Sequence, residues 1–257
     1  MLVVAAISVI SLGTQVVRYG LGIQNRVVNR LEKWFFVDLE AGVPAWFSAV
    51  LLFLIGERLW RIGTAARADG DRWHRHWLWL GATFVYLSLD EVIQIHELGA
   101  LLTSVLDMGG AFAIAAWVVL AIPLLLVFGV LFVPFFLALP MWTRWAFVVS
   151  ALVYLGGAIG FEMLGALVAD RVGVINTVTT TVDGVTTSSQ FLTVPSVTYA
   201  IIAGVEEALE MMGAVMFLGA VTVRLQRGAL PTQVAAEDPP VASDRGRTNQ
   251  PPSRTEP

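Results

Sequence analysis

The sequence predicts an all-α integral membrane protein, a bundle of six transmembrane helices, and three observations predict it. Of its 257 residues 56% are hydrophobic and only 14% are charged, where a water-soluble domain carries about 25% charge. Uncharged stretches of spanning length recur, and none of the residues from Ala111 to Leu139 is charged. Lysine and arginine fall unevenly on alternate links between these stretches. The chain has no cysteine, which excludes disulfides, thiolate metal sites and cysteine nucleophiles. No basic patch points to nucleic acid, and the partner implied is the lipid bilayer.

A bilayer core needs about 20 apolar residues in a helix. Six segments qualify, at about 2–23, 44–62, 77–103, 111–139, 144–168 and 196–223. The first opens "MLVVAAISVISLG". It lacks a basic leading segment and an A-x-A cleavage site, so it reads as a spanning helix rather than a signal peptide. Gln15 and Arg18 interrupt it. In the link that follows, Val27, Val28, Leu31, Trp34 and Phe35 recur at helical spacing, the pattern of an amphipathic helix on the membrane surface. The fourth segment carries Pro123 and Pro134, which kink a membrane helix where neighbours re-satisfy its backbone. Between the fifth and sixth segments, β-branched runs flank Asp183-Gly184. Asp-Gly is a two-residue turn signal, so a short extracytoplasmic β-hairpin is expected there. Residues 1–228 form the transmembrane domain. Residues 229–257, with "EDPP" and "NQPP", cannot bury enough apolar surface to fold and read as a disordered cytoplasmic tail. No internal repeat makes the halves inverted copies.

Orientation follows from the basic residues. With both termini inside, Arg58, Arg61, Arg67, Arg72, Arg75, Arg144, Arg224 and Arg227 are cytoplasmic. Arg26, Arg30, Lys33 and Arg171 fall outside. This bias predicts a multi-pass protein of the cell membrane with N- and C-termini in the cytoplasm. Trp60, Trp73, Trp77 and Trp79 read as an interfacial aromatic belt. His74 and His76 read as interfacial residues beside Arg72 and Arg75, Glu57 as a partner of Arg58 or Arg61, and Met211, Met212 and Met216 as packing residues.

The apolar run Trp77–Tyr86 is followed by "LSLDEVIQIHE", with Asp90, Glu91, His96 and Glu97. The fifth segment holds Glu162, and the sixth holds Glu206, Glu207 and Glu210. Each acid costs roughly 2.5–3.5 kcal/mol at a helix centre. On a regular helix Asp90, Gln94 and Glu97 share one stripe, continued by Thr83 and Tyr86, with Glu91 and His96 flanking it. Glu206, Glu207 and Glu210 fall within one arc of about 100°. Near Glu162, Gly156 and Gly160 form a small-xxx-small pair that admits a close helix neighbour. At ~1.5 Å per residue the acids of three helices reach overlapping depths in the outer half of the membrane. No arginine or lysine shares that depth, so seven carboxyls face one imidazole. Buried like charges cannot all ionise. Either most of these acids are protonated or cations bind among them.

A divalent cation is the sharpest reading, with Asp90, Glu91, His96, Glu97, Glu162, Glu206, Glu207 and Glu210 as candidate metal ligands. Di-iron and di-manganese bundles use inward Glu residues with Glu-x-x-His pairs. Here Glu207 and Glu210 supply Glu-x-x-Glu instead, and His96 stands five residues from Glu91. A carboxylate-rich site with one histidine suits Mn, Fe, Mg or Ca better than Zn. Metal-assisted chemistry on a lipid-like substrate then fits the position. The alternatives are an ion- or proton-coupled transporter using the same carboxyls, and an interaction protein in which protonated acids tie helix to helix. The chain lacks the three membrane histidines of ceramidase-like hydrolases. It departs from the Glu-Glu-x-x-x-Arg motif of CAAX-type membrane proteases, with Met211 at the Arg position. The set "SLDE…HE", "GFE" and "EEALEMMG", with "VDLEAGVPAWFS" upstream, resembles a group of uncharacterised bacterial multi-pass membrane proteins over helices two to six. That resemblance implies a multi-pass fold and no particular activity.

Overall fold

The computed structural model describes residues 1–23, 25–36, 42–173, 178–182, 185–189 and 196–228. The first helix, α1 (Leu2–Gln15), runs on through a π turn over Val16–Gly20. The amphipathic link forms α2 (Arg26–Phe35), capped by Asn25, whose side chain accepts from the Val27 and Val28 amides. An Arg18–Glu32 ion pair fastens α2 to the end of α1. Next come α3 (Val43–Ala68) and α4 (His74–Ile93). A 3-10 segment over Ile95–Ala100, then α5 (Leu101–Val105) and α6 (Ala111–Ile114), lead into α7 (Ala116–Ala138). Then α8 (Met141–Leu155) passes through a second π turn, Gly156–Phe161, into α9 (Glu162–Val172). Strands β1 (Val178–Val182) and β2 (Val185–Ser189) pair antiparallel with Val182 opposite Val185. The last helix is α10 (Val197–Gly228). The expected turn residues Asp183 and Gly184, and the expected disordered tail, lie outside the described residues.

Among the described residues five helices are long and apolar enough to cross a membrane, or six if the pair bent at Gln94 counts as one span. That bend corrects the expectation of one straight helix over 77–103. Gln94 adopts the left-handed conformation, φ 59°, and the chain turns by 81°. The fourth segment also differs, because Ala115 separates α6 from α7. The fifth runs longer than expected, from Met141 to Val172.

In a bilayer, helices gain nothing by leaving lipid, so close contact and interlocking side chains hold them together. The two central helices, α3 and α4, meet through small residues. A Cβ added at Gly56 would lie 3.0 Å from the Gly81 carbonyl oxygen, and one at Gly63 would lie 2.8 Å from Leu78. Ser88 Oγ donates to the Ala49 carbonyl across the same seam, at 2.8 Å. An aromatic layer fills the arginine-rich half of the bundle. Trp77 is 2% exposed and meets Phe135 and Phe147 edge-on, while Phe217 packs between Phe147 and Phe84. His76 stacks on Phe135, and Glu57 pairs with Arg58 and Arg61. Met211, fully buried, packs on Val4 and Ile7 of α1. The lipid-facing side of α7 is almost wholly apolar and exposed.

The crossing of α8 with α10 is the tightest at the acid end. A Cβ added at Gly157 would lie 2.6 Å from the Glu206 carbonyl oxygen, and one at Gly213 would lie 2.7 Å from Tyr154. A Gly157→Ala substitution is expected to destabilise the fold by ~1–3 kcal/mol, because backbone must yield. Gly156→Ala, with nothing within 4 Å, should leave stability unchanged. Thermal unfolding of the detergent-purified pair checks this, and equal midpoints would remove the close crossing from the account.

Candidate functional site

The break at Gln94 builds the first part of the site. A helix continued through residue 94 would carry His96 away from Asp90. The left-handed turn instead folds the chain back. The His96 amide donates to Asp90 Oδ1 at 2.8 Å, and His96 Nδ1 lies 3.0 Å from Asp90 Oδ2. Asp90 therefore orients the imidazole with two contacts. The His96 ring meets Trp117 of α7 edge-on at 5.7 Å. Gly99 permits this, since a Cβ there would lie 2.6 Å from Trp117 Cα.

The second part lies where α7, α9 and α10 meet. Trp117 Nε1 donates to Glu162 Oε1 at 3.1 Å. The Glu206 carboxyl stands within electrostatic reach of Glu162. Two carboxyl groups so placed inside a membrane cannot both be ionised without a cation between them. The Tyr154 phenol stands beside Glu210, and Glu91 stands within electrostatic reach of Glu210, His96 and Asp90. The π turn over Gly156–Phe161 aims Glu162. One extra residue in a turn rotates everything after it by about 100°. Glu162 lies ten residues from the end of α9, and Glu206 nine from the start of α10. Both are thus ~15 Å in from the same end of the bundle.

Glu207 takes a different direction. Gly204 meets Leu12 of α1, and Met211 packs on Val4 and Ile7. Glu207 falls on that stripe, at positions i, i+3 and i+7, so it borders α1 while staying within electrostatic reach of Glu206 and Tyr154. Ser11, 1% exposed, stands at the same level of α1. One turn on, Gln15 is equally buried, and neither atom of its amide has a partner among the described residues.

The sequence expectations fare unequally. Asp90, Glu91, His96, Glu162, Glu206 and Glu210 come together around one end of the bundle, with Glu207 on its flank. Glu97 does not join them: the break at Gln94 leaves it exposed, off the stripe that a straight helix would give. Asp90 is tied to His96 rather than to Glu162 or Glu210. Among the described residues no three His, Asp or Glu side chains are arranged to hold one metal ion. Trp117, Tyr154 and Gln15 were missed by reasoning from charge alone. Their signal was present in the sequence, because each is a polar group inside a spanning segment that needs a partner.

This is a multi-pass α-helical membrane protein with an acid-rich polar site among its helices. The chain belongs to the family described as Domain of unknown function (DUF8692), whose model matches residues 1–225. No curated protein and no solved structure matches it.

The Asp90–His96 pairing predicts energetic coupling. In a double-mutant cycle on unfolding, Asp90→Ala and His96→Ala should each destabilise. The pair should show an interaction energy of ~1–3 kcal/mol. Strict additivity would mean that the two contacts contribute nothing.

Proposed function

We propose that the acid cluster is a proton-handling site and that the protein is an ion- or proton-coupled membrane transporter. The observation that carries this reading is the gathering of the Glu162, Glu206 and Glu210 carboxyls within electrostatic reach of one another, since carboxyls so close cannot all ionise and hold a proton that a change of partner releases. The neighbours extend the path. Glu210 with Tyr154, Glu91, and the Asp90–His96 pair form successive donor and acceptor groups from the bundle interior to the bent segment. The unpartnered Gln15 amide supplies a further donor and acceptor on the α1 side. In liposomes with an enclosed pH-sensitive dye, the reconstituted protein is expected to carry protons down an imposed gradient. Glu206→Gln and Glu210→Gln should slow this ~100-fold, the scale of losing a positioned acid–base group. Glu97→Gln should not. Flux that survives both cluster substitutions, or no flux from the native chain, sinks the proposal.

A divalent cation is the second reading, favoured by the number of carboxyls gathered with a single imidazole and no lysine or arginine among the described residues. Mn, Fe, Mg, Ca or Zn would displace the shared proton and draw Glu162, Glu206 and Glu210 closer, and the site would then be catalytic toward a lipid-like substrate. Elemental analysis separates the readings. One metal per chain, lost in Glu162→Gln, favours the cation. We further propose a cell-membrane location with both termini cytoplasmic and the β1–β2 strand pair extracytoplasmic, on the arginine bias. A reporter fused after Arg227 should read out inside, and an external readout inverts the topology.

A further inference from the structure

At the opposite end of the bundle Arg144, Arg224 and Arg227 have no acidic partner among the described residues. Arg58 and Arg61 near this end pair with Glu57, and Arg18 at the far end of α1 pairs with Glu32. The three unpaired ones gather at the foot of α8. Arg227 lies over the Trp142 ring at 4.2 Å, and Arg224 over Trp77 at 5.9 Å. Arg144 Nε donates to the Leu139 carbonyl at 2.6 Å, which steadies the guanidinium and leaves its terminal nitrogens to other partners.

The helix itself adds to this charge. The α8 N-terminus is capped by Pro140 without a side-chain hydrogen bond, so first-turn amides and the positive end of the helix dipole face the same region. A second observation points to a ligand. Thr143, at the third position of α8, is fully buried, and its hydroxyl has no partner. Its customary acceptor, the carbonyl four residues back, is the Leu139 oxygen that Arg144 occupies. Phe147 packs on Phe217 and Trp142 meets Arg227, so Thr143 lies between these levels, at the height of Arg224. The Arg224 Nε is likewise buried without a partner.

We propose that the foot of α8 binds the phosphate of an anionic lipid headgroup, held by Arg144, Arg224 and Arg227 with Thr143 and the first-turn amides. A lipid fits better than a free anion, because Met141 and Trp145, 64% and 61% exposed, present apolar surface beside the guanidinium groups. Basic pockets between spanning helices bind anionic headgroups on these terms.

The test is native mass spectrometry of the full chain with phosphatidylglycerol, phosphatidylcholine or inorganic phosphate. The native protein should retain one phosphatidylglycerol at least roughly tenfold more tightly than phosphatidylcholine. Arg224→Gln with Arg227→Gln should lose most of that preference. Arg58→Gln with Arg61→Gln, which removes the same charge from a paired site, should keep it. Three results overturn the proposal: equal retention of both lipids, equal loss in the two double variants, or inorganic phosphate displacing the lipid at matched concentration. Thermal midpoints of both variants show that each is folded when it is measured.

Discussion

A carboxyl group removed from water costs several kcal/mol unless it finds a hydrogen-bond partner, and one end of this bundle is arranged around that requirement. Glu162 accepts a hydrogen bond from Trp117 Nε1 on one side and adjoins the Glu206 carboxyl on the other. Glu210 has Tyr154, and Asp90 has both the amide and the ring of His96. The backbone irregularities serve these contacts. Gln94 in its left-handed conformation brings His96 back to Asp90, and the π turn before Glu162 sets the direction of that side chain. Glycine completes the arrangement at Gly157 and Gly99, where any side chain would meet backbone of the partner helix.

The two ends of the bundle solve opposite problems. The arginine-rich end is held by an aromatic layer in which Trp77, Phe135, Phe147 and Phe217 interlock. Shape and dispersion suffice there, and the packing stays rigid. The acid end relies on directional bonds between groups that can exchange protons. A network of that kind can change partners without repacking apolar side chains, which is the property a proton-handling site needs. The rigid end then holds α4, α8 and α10 in register while contacts change at the other.

Isolated carboxyls in a membrane often only join helices, and hydrogen bonds of this kind are individually worth little. What sets this cluster apart is that no lysine or arginine pairs with it among the described residues, together with its chemical variety: carboxyl, imidazole, phenol, indole and amide at one end of the bundle. A purely structural polar contact needs one donor and one acceptor. Here carboxyls adjoin carboxyls, an arrangement that is stable only with protons or cations between them.

Much of the fold was legible in the sequence. Hydropathy is a local property, so apolar length alone marked the spanning segments. The β-branched runs beside Asp183-Gly184 marked the strands, and helical periodicity marked α2. The gathering of acids on three helices was legible too, because depth follows from counting residues along a helix. What the sequence left open was which acid faces which. A regular helix puts Asp90, Gln94 and Glu97 on one stripe, but the turn at Gln94 exposes Glu97 and gives His96 to Asp90. One inserted residue rotates everything after it by about 100°, and no local pattern announces the insertion. The partners of these acids were therefore decided by tertiary packing, which alone determines where a helix breaks and which of its faces meets a neighbour.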